Sequence, residues 1–195
     1  VNGKRIYLDH AATTPAHPEV IEAMSPYYSG VFGNPSSIHS FGQEARTAVE
    51  EAREKVAALI NANKEEIVFT SGGTESDNFA VKGACLANKD KRNRILTTPI
   101  EHHAVLGPCE FMKTLGFEIS YLPVDNYGMV DPADVKRSVD GKTALVSIMH
   151  ANNEIGTIQP IEEIGKITRE AGVCLHTDAV QSAGAVPLDV DKMNV

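Results

Sequence analysis

The feature that most constrains this chain is an alternation that sets in near residue 67 and runs almost to the last residue. Short apolar runs at residues 67–69, 94–98, 117–122, 144–149 and 173–176 read as strands. Residues 75–88, 104–115 and 161–171 carry helical spacing between them, and Gly172 suits a helix end. Strands separated by helices are crossover-connected rather than paired as hairpins. The expected fold class is therefore α/β: a mostly parallel sheet with helices on both faces. Upstream, Ala45, Val49, Ala52, Val56 and Leu59 recur at three- and four-residue steps, which predicts a helix over 43–61 with one apolar stripe. Residues 6–8 read as a short strand and 19–28 as a helix, with a Gly- and Pro-marked loop from Gly30 to about Gly42. Residues 186–195 look like the approach to another strand. A sheet stopping there would keep an unpaired edge, so a piece of a longer protein is expected.

Charge narrows the function. The chain of 195 residues has 26 acidic against 18 basic side chains, a net charge of −8. That disfavours nucleic-acid binding, which needs a basic stripe to meet phosphates. The basic residues are scattered except for Lys89, Lys91, Arg92 and Arg94, read as a solvated turn. No apolar run is long enough to cross a bilayer, and Asp9 and His10 interrupt any signal-like start, so no membrane association and a cytoplasmic location are expected. Cys85, Cys109 and Cys174 are odd in number and form no CxxC, which argues against a zinc ribbon or a disulfide framework. Cys85 and Cys174 lie in apolar company and are expected in the core.

Ligands of parallel α/β sheets sit beyond the carboxyl ends of the strands, and four polar clusters fall there. In the first, Thr70 to Thr74, Gly72 and Gly73 allow close backbone approach and Thr74 opens a helix whose free N–H groups attract an anion. The spacing is neither a P-loop nor G-x-G-x-x-G, and a plain capping turn with Thr74 as N-cap explains it as well. Glu101, His102 and His103 form the second; adjacent histidines do not face one another on a helix, so they make no two-histidine metal site. The third is His150 to Glu154, where either Asn152 or Asn153 shapes a turn or binds a ligand. In the fourth, Asp178 suits either a ring nitrogen or a helix N-cap, and Gln181 either a capping box or the same ligand. His176 and Asp178 are two apart on a strand, which leaves a metal-ligand reading open.

Taken in order, these segments resemble one family. Tyr7-Leu8-Asp9-His10-Ala11-Ala12-Thr13-Thr14-Pro15, Gly33-Asn34-Pro35-Ser36-Ser37-Ile38-His39 and Phe69-Thr70-Ser71-Gly72-Gly73-Thr74-Glu75-Ser76 are followed by Glu101-His102. Then come His150-Ala151-Asn152-Asn153-Glu154-Ile155-Gly156 and Asp178-Ala179-Val180-Gln181-Ser182. The series is similar to NifS/IscS-like cysteine desulfurases, class-V aminotransferases of the fold type I pyridoxal enzymes, over essentially the whole chain.

The resemblance implies a pyridoxal 5'-phosphate pocket. Gly73 and Thr74 would hold the phosphate, and His102 would stack on the pyridine ring and help move protons. Asp178 would pair with the ring nitrogen, Gln181 and Asn153 would reach the ring oxygen, and Asn153 would also meet the substrate carboxylate. The implied reaction takes L-cysteine to L-alanine and passes persulfide sulfur to an acceptor or scaffold protein, for iron–sulfur clusters or thiolation, in a homodimer. The implied organisation is an N-terminal arm at 1–15 and an incomplete cofactor-binding large domain at 16–195, with the C-terminal small domain absent. The family's Schiff-base lysine sits in a Ser-x-His-Lys context that Lys192 does not match, and its persulfide cysteine lies further along. Cys85, Cys109 and Cys174 therefore receive no such role. A related pyridoxal lyase or aminotransferase, a non-catalytic binding module, and a metal hydrolase built on His176 and Asp178 are the competing readings.

Overall fold

A computed structural model of the chain describes residues 5–195; the first four residues of the expected arm lie outside the described residues. The chain divides into two compact units, Val1–Ala58 and Leu59–Val195. The first contains α1 (Pro18–Met24), a 3-10 turn at Ser25–Tyr28 and most of α2 (Ser40–Ile60). Pro18 opens α1, where a missing N–H costs nothing. The strand expected at 6–8 does not form. Those residues join no ladder among the described residues, and the Tyr7 hydroxyl donates to the carbonyls of Asp9 (2.7 Å) and Thr13 (3.2 Å).

The second unit is the strand–helix alternation. In order it holds α3 (Gly73–Asn88), β1 (Arg94–Thr97), α4 (His103–Thr114), β2 (Glu118–Tyr121) and α5 (Pro132–Ser138). Then come β3 (Thr143–Ser147), α6 (Ile161–Glu170), β4 (Cys174–His176) and α7 (Val190–Met193). The strands pair in the order β2-β1-β3-β4, all parallel, with Ile95 opposite both Ile119 and Leu145, and Leu145 opposite Cys174.

Helices cover both faces, as expected. Ile95 and Leu145 point to one face, where they meet Val81 and Cys85 of α3 and Val105, Cys109 and Met112 of α4. Their neighbours Leu96 and Val146 point to the other, against Val135 of α5, Ile161 and Ile164 of α6, and Met193 of α7. Strand β3 is buried at every residue, so it reads as a run rather than an alternation. No helix among the described residues is long and apolar enough to cross a membrane.

Several expectations change. Residues 67–69 follow a 3-10 turn at Lys64–Glu66, with Ile67 extended, and join no sheet among the described residues. The tail expected to approach a strand forms α7 instead: Asp189 caps it by accepting the Lys192 N–H at 3.1 Å. Gly165 lets α6 pack against it, since a Cβ there would stand 1.8 Å from the Met193 carbonyl oxygen. Helix α5 was not expected, although Asp131 and Pro132 carry an N-cap and N1 signature. The basic cluster is partly structural. Arg92 donates to the Gly172 (2.7 Å) and Thr143 (3.3 Å) carbonyls, and Arg94 pairs with Asp140 at 2.8 Å. Cys85 and Cys109 are the buried thiols, while Cys174 on an edge strand is exposed.

Candidate active site

The carboxyl ends of β1, β3 and β4 and the start of α3 surround one cleft of about 230 Å³. Gly73, Thr74, His102, Asn153, Asp178 and Gln181, all six residues singled out from the sequence, line it, together with Asp77, Ala104, Met149, Ala151 and Val180.

At one end stands the first turn of α3. The helix starts at Gly73 with Gly72 as N-cap, so Thr74 is inside the helix rather than its cap. No side chain caps this end, which leaves its N–H groups and the positive end of the helix dipole for an anion. The Glu75 carboxylate turns back to accept the Ser71 N–H at 2.6 Å. Gly73 packs tightly: a Cβ there would come within 2.5 Å of Val180 Cγ2. That close approach brings the helix start beside the turn that carries Asp178.

The turn itself is held by the strands. Beyond β3 and β4 the ladder continues, with the Ile148 N–H on the His176 carbonyl (3.1 Å) and the His150 N–H on the Asp178 carbonyl (2.8 Å). Ser182 Oγ lies 2.9 Å from His150 Nδ1. Asp178 is buried, and its carboxylate accepts the Val180 N–H at 2.9 Å. No helix follows, so this is a local turn and not the helix cap that sequence alone left open. Burial raises the Asp178 pKa, the Val180 N–H opposes that, Asp77 raises it further, and His176 and His102 lower it.

The two asparagines divide the roles between them. Asn152 builds the loop: its amide donates to the Ile100 carbonyl (3.0 Å) and its oxygen accepts from the N–H groups of Glu154 (2.8 Å) and Ile155 (3.1 Å). Asn153 lines the cleft. His102 is the N-cap of α4, where Nδ1 accepts the Ala104 N–H at 3.1 Å. Its Nε2 is therefore the ring nitrogen available to carry a proton. His103 lies outside the cleft.

Two acids matter here that the sequence assigned no role. Asp77 is 4% exposed and lies one helical turn beyond Thr74, a spacing that places both on one face of α3. Glu101 is 6% exposed; Oε1 accepts from Thr98 Oγ1 (2.7 Å) and the Met149 N–H (3.0 Å), while Oε2 is buried without a partner. Burial pushes Glu101 up to about 7, against those two hydrogen bonds. The thiols of Cys85 and Cys109 are pushed by burial up to about 12, so neither is a thiolate at neutral pH. His176 is engaged with Ser147 and Asp77, and among the described residues no group of three or more His, Cys, Asp or Glu able to hold a metal occurs.

The comparisons agree with this architecture. The Aminotransferase class-V family matches residues 6–195. The cysteine desulfurase IscS of Dictyoglomus turgidum is 58% identical over 192 residues, which is 98% of this chain and 49% of that protein. A putative cysteine desulfurase, IscS 1 of Bacillus subtilis, is 54% identical over 98% of this chain and 51% of its own length. Among solved structures, a NifS-like protein superposes with a TM-score of 0.94 at 42% identity, over 98% of this chain and 53% of that one. SspA in complex with cysteine gives 0.93 at 40% identity, over 97% and 55%. The chain spans about half the length of the curated relatives it matches. On the family match across nearly all of its length, the chain belongs to the class-V aminotransferase family.

Proposed function

We propose that the full-length protein is a cysteine desulfurase that converts L-cysteine to L-alanine and passes the sulfur to an acceptor protein. The observation that carries this reading is the convergence of Gly73, Thr74, His102, Asn153, Asp178 and Gln181 on one cleft at the strand ends. The family's cofactor is pyridoxal 5'-phosphate, and the donor set fits it. An uncapped, glycine-flanked helix start suits a phosphate. A buried acid whose pKa burial has raised is stabilised by a cationic neighbour, here a protonated ring nitrogen. When bound, the cofactor supplies an electron sink for the charge left as the substrate's Cα proton departs.

The chain's own groups orient and tune. Gly73 and Thr74 hold the phosphate through backbone N–H groups and helix dipole. The Asp178 carboxylate keeps the ring nitrogen protonated. His102 would lie against the ring face, its Nε2–H placed to donate toward the cleft while Nδ1 stays on the Ala104 N–H. Gln181 and Asn153 donate amides to the ring oxygen, and Asn153 also meets the substrate carboxylate. Residues 16–195 belong to the cofactor-binding large domain, and the working protein is a homodimer.

The test is alanine release from L-cysteine by the full-length protein with pyridoxal phosphate present. Asp178→Ala is expected to lose about 100-fold or more, the scale for removing one preorganised electrostatic partner. Normal turnover by that variant would refute the role of Asp178. Product from another amino acid, with none from cysteine, would point to a related lyase or aminotransferase.

A further inference from the structure

Three side chains from three elements meet beside the cleft. His176, at the end of β4, has Nδ1 2.8 Å from Ser147 Oγ on β3 and Nε2 3.4 Å from Asp77 Oδ1 on α3. Ser147 is fully buried, Asp77 nearly so, and the His176 side chain is 13% exposed. None of the three has a part in the function proposed above, yet Asp77 lines the same cleft as Asp178.

Asp77 and Asp178 face one cleft, and the Asp77 charge raises the proton affinity of Asp178. An imidazole against one of them removes that conflict. Nε2 stands at ion-pair distance from Asp77, and because a carboxylate only accepts, the contact is attractive when that nitrogen carries hydrogen. Ser147 suits both charge states, donating to Nδ1 of a neutral ring or accepting from a protonated one. The serine thereby fixes which nitrogen faces the acid.

We propose that His176, held by Ser147 and Asp77, is a positioning residue that offsets the Asp77 charge and so keeps Asp178 ionised toward the cleft. This rests on the assignment of Asp178 to the ring nitrogen. The charged groups around Asp178 are Asp77 from α3, His176 from β4, His102 from the start of α4 and Glu101 from the loop after β1. Of these, Asp77 raises the Asp178 pKa, while His176 and His102 lower it.

The test reads Asp178 directly, without cofactor or turnover. In the full-length, cofactor-free protein, the carboxyl ¹³C resonance of Asp178, identified by its loss in Asp178→Asn, is followed against pH. His176→Gln keeps an amide N–H able to reach toward Asp77 but carries no charge, and it is expected to move the Asp178 midpoint up. Asp77→Asn is expected to move it down, and the double variant to return it toward the wild type. A tether of purely structural value would leave the midpoint in place. Midpoints that stay put in the two single variants, or move in the same direction, overturn the proposal. Should His176→Gln fail to fold, Asp77→Asn alone still decides, because an unmoved or raised midpoint sinks the idea. Failure of the cofactor reading is distinguishable: Asp178→Asn would then bind pyridoxal phosphate like the wild type whatever the titrations show.

Discussion

Glu101 offers the sharpest quantitative test of the site's electrostatics. Its proton affinity rises from an ordinary 4.5 to about 7, with burial as the main cause. The folded protein therefore retains a proton between those pH values that the unfolded chain has already released. Stability must fall as pH rises through that window, the reverse of the usual salt-bridged carboxylate. At ~1.4 kcal/mol for each tenfold change in proton affinity, the loss amounts to ~3 kcal/mol by neutral pH. Glu101→Gln removes the titration while keeping an oxygen for Thr98 Oγ1 and the Met149 N–H. Its NH₂ then sits where Oε2 has no partner, costing ~1–3 kcal/mol at every pH. The assay is denaturant unfolding of wild type and variant in the cofactor-free, full-length protein from pH 4 to 8. Titrating groups remote from Glu101 cancel in the difference, which leaves Glu101 and its coupled neighbours His176 and Asp178. Glu101→Gln should gain on the wild type steadily from about pH 4.5 to 7, then run parallel. Curves parallel across the whole range would refute the assignment of a buried, high-affinity proton to this side chain.

Two glycines give steric tests. Gly73→Ala places a Cβ within 2.5 Å of Val180 Cγ2 and should weaken pyridoxal phosphate binding, with an overpacking cost of ~1–3 kcal/mol; Val180→Ala in the same protein should restore most of it, as read by cofactor absorbance titration. Gly165→Ala meets the Met193 carbonyl oxygen, which cannot rotate away. It should lower the unfolding midpoint by the equivalent of at least ~1–3 kcal/mol, and an unchanged midpoint would mean α7 does not dock on α6 in solution.

The fold was legible because its strongest signals are physical necessities. A parallel strand covered on both faces is buried along its whole length, and β3 is, around an apolar Ala144-Leu145-Val146 centre. An amphipathic helix has to show its stripe. The failures came where a local pattern needs a partner to become structure. Residues 6–8 and 67–69 have strand composition but no neighbouring strand to bond. The tail at 186–195 carries apolar residues, yet Asp189 caps a helix turn there. The candidate site was legible as an ordered set of segments, and the structure draws all six named residues to one cleft. Asp77, Ser147 and His176 as a group were not, because only three-dimensional packing brings together residues from a helix and two strands. Residue pattern alone left Asn152 and Asn153 undivided, and only the resemblance singled out Asn153, since which amide turns inward depends on the Ile100 carbonyl that takes the Asn152 amide.

The arrangement also bears on why the cleft selects its ligand. Asp77 and Asp178 place two buried carboxylates in the cleft. Offsetting them are His176, which touches Asp77, and His102, which lowers the proton affinity of Asp178. Among the described residues no lysine or arginine lines this cleft. Negative charge without a matching cation is costly in a site partly shielded from water, and a protonated heterocycle relieves that cost. At the start of α3 uncapped N–H groups present the positive end of the helix dipole, with the Glu75 carboxylate turned back onto the Ser71 N–H. A ligand cationic on one side and anionic on the other meets both fields at once, whereas an anion at the acids or a cation at the helix start meets repulsion. Reversing one end should therefore hurt more than deleting a neutral contact. Asp178→Lys is expected to abolish pyridoxal phosphate binding, while Gln181→Ala weakens it by ~0.5–1.5 kcal/mol, the worth of one neutral hydrogen bond. Equal losses in an absorbance titration of the two variants would mean that shape, rather than polarity, governs the choice.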